Sequence, residues 1–179
     1  MRHLNIPKDR VGILIGPEGT IKRRIEDQCS CKIRIESETG GVSIDDSKDP
    51  YMGMKASDIV KAIGRGFSPE NAFRLFSDDV YFFLFDIRDF AGKNRNRLKE
   101  LRGRLIGTDG RMRYNIEKTT DASLAIQGNT IGIICDVEGM EVAKRAVEML
   151  LSGSEHSSVN KYLEKSRVKM AWDRAHNPL

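Results

Sequence analysis

Two short stretches of this chain have residue types and spacing suited to gripping phosphate. Gly16-Pro17-Glu18-Gly19 recurs 91 positions later as Gly107-Thr108-Asp109-Gly110. Each follows an isoleucine, Ile15 or Ile106, and each opens a stretch that reads as a helix. Glycine at both corners permits backbone conformations closed to other residues and removes side chains that would hold a ligand away. The helix behind the turn points free amides and its positive dipole end at the same spot. The chemistry this implies is non-covalent. Phosphates of a nucleic acid strand meet the amides and nearby cations, and its bases meet an apolar groove. In the first copy the candidate contacts are Gly16, Gly19, Lys22, Arg23 and Arg24. In the second they are Lys99, Arg102, Arg104, Ile106, Gly107, Thr108, Gly110, Arg111, Met112 and Arg113. Ile15, Ile21, Ile106 and Met112 are candidates for an apolar floor under the bases, with core packing as the competing role, favoured for Ile15 and Ile106.

The turns belong to a longer repeat. With Val11–Ile44 laid over Arg102–Cys135 without gaps, 10 of 34 positions are identical, among them Ile25/Ile116 and Glu26/Glu117. A 91-residue offset is too long for a solenoid and fits two small domains, each with a modest core and expected to pack on the other. Both copies read as β-α-α-β-β-α. In the first, a strand near His3–Ile6 precedes helices at Lys8–Leu14 and Thr20–Gln28. Cys31–Glu36 alternates as a half-buried strand, and Val42–Ile44 returns. After a loop through Pro50, Ala56, Ile59, Val60 and Ile63 mark a helix stopped by Gly64 and Gly66. In the second, strand Val80–Ile87 precedes a basic helix at Asn94–Arg102 and a helix at Arg111–Thr119. Strands Ala122–Gln127 and Thr130–Cys135 are joined by the hairpin pair Gly128-Asn129. Helix Glu138–Leu151 closes the copy. Between its third strand and last helix, the first copy has four more residues than the second. Ser68–Phe76 reads as a connecting helix with Ser68 as its cap. Ser157 or Ser158 is expected to cap a last helix, about Val159–Ala175, docked by Tyr162 and Leu163, with Trp172 packing the tail. The domains are therefore expected at 1–67 and 79–152, with a connector at 68–78 and a tail at 153–179.

Composition narrows the function. The chain is 39% hydrophobic and 31% charged, as expected of a globular protein. The longest apolar run, Val80–Phe85, is far too short to span a bilayer. Cys29, Cys31 and Cys135 are too few for a disulfide framework or zinc site and read as buried thiols of a cytoplasmic protein. The net charge is a mild +4, but residues 93–113 hold eight Lys or Arg against Glu100 and Asp109 alone. That distribution calls for a polyanion. Neither a P-loop nor a Gly-x-Gly-x-x-Gly fingerprint is present. Asp45, Asp46 and Asp49 read as an exposed acidic loop. No nucleophile–base pair or metal-ligand pattern is found, so neither catalysis nor a metal or cofactor is expected.

The order β-α-α-β-β-α with Ile-Gly-x-x-Gly between the first two helices resembles the type I KH domain. The resemblance covers nearly the whole chain. It implies an α+β fold of two tandem KH domains, each a three-stranded sheet covered by helices, with a C-terminal helix beyond them. The run Arg102-Gly103-Arg104-Leu105-Ile106-Gly107, with Ile116-Glu117 and the later His156-Ser157-Ser158-Val159, is similar to the partner-of-NOB group of ribosome-assembly proteins. That resemblance implies single-stranded RNA binding at the 3′ end region of small-subunit ribosomal RNA. It implies two protein partners, the NOB-type endonuclease and the alpha subunit of translation initiation factor two. The start of the chain lacks the extension of eukaryotic members, which points to an archaeal source. The inner residues Pro17-Glu18 and Thr108-Asp109 depart from the basic residue common in a KH turn. A carboxylate repels phosphate, and Pro17 removes an amide donor. The second copy is therefore expected to bind RNA more strongly. The alternative is a degenerate scaffold that recruits proteins and touches RNA little.

Overall fold

The computed structural model describes residues 1–176. The first repeat runs β1 (Arg2–Asn5), α1 (Lys8–Ile15), α2 (Thr20–Gln28), β2 (Lys32–Glu36), β3 (Gly41–Asp45) and α3 (Pro50–Gly64). Helix α4 (Pro69–Phe73) follows and tightens into a 3-10 turn at Arg74–Phe76. The second repeat runs β4 (Val80–Asp86), α5 (Arg88–Ala91), α6 (Arg95–Ile106), α7 (Arg111–Thr120), β5 (Ser123–Gln127), β6 (Thr130–Asp136) and α8 (Val137–Leu151). Helix α9 (His156–His176) closes the described chain.

Each repeat builds a three-stranded sheet with its last strand in the middle, β1-β3-β2 and β4-β6-β5. The period-2 pattern of β2 fixes its register: Ile33 opposes Ile44 and Ile35 opposes Val42. In the second hairpin Gln127 opposes Thr130, which leaves Gly128 and Asn129 as the two-residue turn. Gly128 takes φ +57°, the left-handed conformation such a turn requires. Two compact units result, Met1–Phe82 and the chain from Phe83 on. The division falls inside β4, and the Phe82 ring at its edge packs edge-on against Phe67 of the first unit, at 6.0 Å between centroids.

The core of the second unit shows what holds a site in place. Leu98, Leu101 and Leu105 of α6 meet Met112 and Ile116 of α7, Leu124 of β5, and Ala143, Val147 and Leu150 of α8. Val159 and Leu163 of α9 join the same core. Each of these Leu, Ile, Val and Met side chains contributes about 1.5–3 kcal/mol on full burial. Tyr162 packs partly buried against this core, so the expected docking pair Tyr162 and Leu163 both serve.

Three elements differ from the sequence expectation. Helix α3 begins at Pro50, where a loop was expected. Asp49 caps it by accepting from the amides of Tyr51 and Met52, and Pro50 fills its first position. The four extra residues of the first repeat are thus Asp46–Asp49. Helix α5 was not expected, and α9 starts at His156, ahead of both serines. Two side chains also differ. Asp46 is buried, 8% exposed, held by the amine of Met1 and by Arg2 Nε, each at 2.8 Å, so this loop is not simply an exposed acidic one. Trp172 is 57% exposed and, among the described residues, stacks on His176 alone, with ring centroids 4.3 Å apart, rather than packing the tail. The three thiols are buried and form no disulfide, as expected, and burial pushes the pKa of Cys29 and of Cys31 up to about 11. No helix among the described residues is long and apolar enough to cross a membrane.

Candidate nucleic-acid interface

The two turns share one backbone. Gly16 and Gly107 take φ/ψ of 72°/173° and 74°/177°. Glu18 and Asp109 take 50°/23° and 52°/29°, and Gly19 and Gly110 take 75°/18° and 75°/10°. Three of the four residues therefore have positive φ. Aspartate tolerates that region better than most non-glycine residues, which gives Asp109 a backbone reason to be there. The two glycines of each turn are required for different reasons. A Cβ at Gly16 would lie 2.3 Å from Ile21 Cγ1, and one at Gly107 would lie 2.8 Å from Met112 Cβ. A Cβ at Gly110 would meet nothing within 4 Å. The first glycine lets the helix pack. The second sets the left-handed corner; Gly110 faces open space, while a Cβ at Gly19 would meet the Arg23 guanidinium at 3.7 Å.

The helices behind the turns begin without a cap. Side chains cap α3 (Asp49), α4 (Ser68), α6 (Asn94) and α8 (Asp136). Neither α2 nor α7 has a side-chain cap. Their first amides, those of Thr20 and Arg111, donate back to the carbonyls of Pro17 and Thr108, so what the turn offers an outside acceptor is the positive end of the dipole beside an open glycine corner. An anion such as a phosphate supplies both the charge and the acceptor oxygens.

The charges around the turns sort unequally. In the first unit, all three basic candidates are engaged by the chain itself. Lys22 Nζ lies 3.9 Å from Glu26, Arg23 donates to the Glu18 carbonyl, and the Arg24 guanidinium sits 4.4 Å over the Phe73 ring. In the second unit, Arg111, Lys99 and Thr108 are exposed, and no carboxylate among the described residues pairs with Lys99, Arg102 or Arg111. Arg102 is half-buried and donates from Nε to the Leu98 carbonyl at 3.3 Å. Ile106 is 40% exposed beside Gly107, so the competing core role does not apply to it.

Three second-unit candidates do other work. Met112 is 3% exposed and belongs to the core, where a base does not reach it. Arg104 donates to the Ser154 carbonyl, and its own carbonyl meets His156 Nε2 at 2.7 Å. It ties α6 to the start of α9. In the first unit the corresponding job falls to Arg10, which donates to the carbonyls of Ile63 (2.8 Å) and Phe67 (2.5 Å). Arg113 donates from Nε and Nη2 to Glu117 Oε1 at 3.3 Å. The same Glu117 oxygen accepts from the Leu124 amide at 2.8 Å, and Glu26 Oε1 accepts from the Ile33 amide at 2.7 Å. That shared bond explains the identical Ile-Glu pair of the repeat: the glutamate latches each post-turn helix to the next strand. Its repetition in the sequence was the available signal. Tyr114, 58% exposed on α7, was passed over because nothing in the pattern around it marks an outward face.

Two sheets of this order, each with a Gly-x-x-Gly turn between its first two full helices, define a KH-domain protein. Residues 2–65 match the KH domain, and residues 81–168 match the eukaryotic-type KH domain, type I. A KH domain-containing protein of Methanocaldococcus jannaschii is 45% identical over 93% of this chain and 74% of its own length. The pre-rRNA-processing protein pno1 of Aspergillus fumigatus is 28% identical over 94% of this chain and 69% of its own. The aDim2p chain type solved in an a/eIF2alpha–aDim2p–rRNA complex from Pyrococcus horikoshii matches with a TM-score of 0.86 at 44% identity, covering 94% of each chain. This chain belongs to the Dim2/PNO1 family of tandem KH-domain proteins.

Proposed function

We propose that this protein is a non-catalytic, single-stranded RNA-binding factor of small-subunit ribosome assembly, and that its second KH unit supplies most of the RNA affinity. The observation that carries this is the open Gly107–Gly110 turn at the positive end of α7, which no side chain caps, flanked by Lys99, Arg102 and Arg111. The turn amides and Arg111 hold phosphates, Arg102 and Lys99 line the approach, and Ile106 lies under a base. Arg113 orders α7 through Glu117, and Arg104 serves the fold. The RNA is ribosomal, by analogy with the rRNA-bound relative, whose complex also holds a/eIF2alpha; within it, the 3′ end region of small-subunit ribosomal RNA is the target the family resemblance implies. The alpha subunit of the initiation factor is accordingly the expected protein partner. The first unit, with its cations engaged and Pro17 lacking an amide, acts mainly as a protein-contact platform.

Fluorescence anisotropy with a labelled 3′-end RNA tests this across a salt series. Phosphate contacts make affinity fall steeply with salt, by a log–log slope of roughly 0.7 per contact for a single strand. A slope near three is expected from the three exposed or half-exposed cations and the turn. Absent binding, or a flat salt dependence, leaves the protein-scaffold reading instead.

A further inference from the structure

The first Gly-x-x-Gly turn has nothing like the surface that continues past the second. On α7 the residues Arg111, Tyr114, Asn115 and Lys118 follow the i, i+3, i+4, i+7 spacing of one helix face. Tyr114 stands 58% exposed, and Lys118 Nζ lies 5.8 Å from its ring centroid. Lys118 and Asn115 then line a cleft of about 310 Å³ between α7 and α9, whose other wall is Asn160, Leu163, Glu164 and Arg167. The Asn115 amide donates to Asn160 Oδ1 at 3.2 Å, bridging the two helices at the cleft. At the matching positions of the first unit stand Arg23, Arg24 and Asp27, the first two folded onto Glu18 and Phe73. That unit has no counterpart of α9.

We infer that this face and cleft form a second nucleotide subsite, one that takes the RNA strand onward from the KH turn. The inference rests on the proposed function, since the strand must already lie on the turn. From Arg111 to Lys118 is seven residues, about 10 Å along the helix. Tyr114 presents a flat, amphipathic ring on which a base stacks without regard to sequence. The cleft beyond offers two cations for the next phosphate, Lys118 and Arg167. The two asparagine amides and the Glu164 carboxylate are donors and acceptors suited to a base edge. A protein segment would be expected to seek an apolar groove, and here only Leu163 is apolar.

RNA length separates this subsite from the turn. A KH turn clamps about four nucleotides, so the probes are a four-nucleotide and an eight-nucleotide RNA of the same 3′-end sequence, bound to the full chain. Tyr114→Ala is expected to weaken the eight-mer about tenfold and leave the four-mer within about twofold. Tyr114→Phe keeps the ring and should match the parent protein on both. The double change Lys118→Ala, Arg167→Ala is expected to lower the eight-mer's log–log salt slope by about 0.7, the share of one phosphate. Equal binding of the eight-mer by parent and Tyr114→Ala overturns the subsite. So does an equal loss on both lengths, which would put Tyr114 in the turn's own groove. If the parent protein binds neither RNA, the functional proposal itself fails, a result distinct from either of these.

Discussion

The two KH units have nearly the same turn and very different surroundings. Their corner dihedrals agree within 8°, yet all three candidate cations of one turn are folded onto its own chain, while beside the other Lys99 and Arg111 stay open and Arg102 bonds only a backbone carbonyl. Duplication preserved the parts that shape the backbone: the glycines and the glutamate latch to the next strand. The parts that attract a ligand diverged. Backbone geometry in this fold is thus a poor guide to which unit binds, and the pairing state of the nearby cations is a better one.

Charge reversal is the most direct way to break that contrast. Arg102→Glu with Arg111→Glu removes two cations beside the second turn and adds two repelling charges. RNA affinity at moderate salt is expected to fall at least a hundredfold. Lys22→Glu with Arg23→Glu, in the first unit, should change it less than about threefold. Comparable losses from the two pairs, measured by anisotropy, would abolish the assignment of RNA to the second unit.

The latch offers a comparison in which the units should behave alike. Glu26→Ala strands the amide of Ile33, and Glu117→Ala strands that of Leu124. An unsatisfied buried amide costs about 1–3 kcal/mol. For a domain of this size that amounts to a drop of roughly 4–8 °C in Tm per kcal/mol. Glu26 is the more buried of the two, its side chain 11% exposed against 26%, so its loss is expected to cost more. A negligible Tm change in both would mean that water satisfies the freed amides and that the latch is incidental.

Much of this was readable from residue order. The alternation of Cys31–Glu36, the hairpin pair Gly128-Asn129 and the cap at Ser68 each became the element their local chemistry demands. The signals that failed were of two kinds. The Asp49-Pro50 start of α3 was present as a cap followed by proline, but the neighbouring acids made it look like a loop. The roles of Arg104, Met112 and Arg113 depend on which way a helix turns its faces. Position along the chain places all three near the turn; only packing shows that one grips Ser154, one fills the core and one bonds Glu117. Trp172 failed for the same reason, since aromaticity alone does not say which side of α9 meets the core.

The four extra residues of the first unit bring in a carboxyl that predicts a pH response of that unit. The hydrogen bond from the amine of Met1 holds the Asp46 carboxyl below its usual range, with Arg2 adding to the effect. A carboxyl depressed in the folded state contributes stability that is complete above its unfolded pKa, about 3.9, and is lost as pH falls through the folded value. The first unit should therefore lose Tm below about pH 4. Asp46→Asn should remove this part of the loss while lowering Tm at pH 7. If thermal scans of parent and variant run parallel from pH 7 down to pH 3, the Asp46 pairing contributes nothing.

The smallest effect sharpens the comparison from the other direction. Pro17 denies the first turn one amide, and the second turn has Thr108 at the same place. Pro17→Thr restores that donor without adding charge. Arg23 and Arg24 remain folded onto Glu18 and Phe73, so the gain in RNA affinity should not exceed about threefold. It is best read in the Arg102→Glu, Arg111→Glu background, where the second turn no longer hides it. If proline alone disabled the first turn, Pro17→Thr would instead recover most of the affinity that background loses. The cations would then matter less than the backbone, and the contrast between the units would come down to one missing N–H.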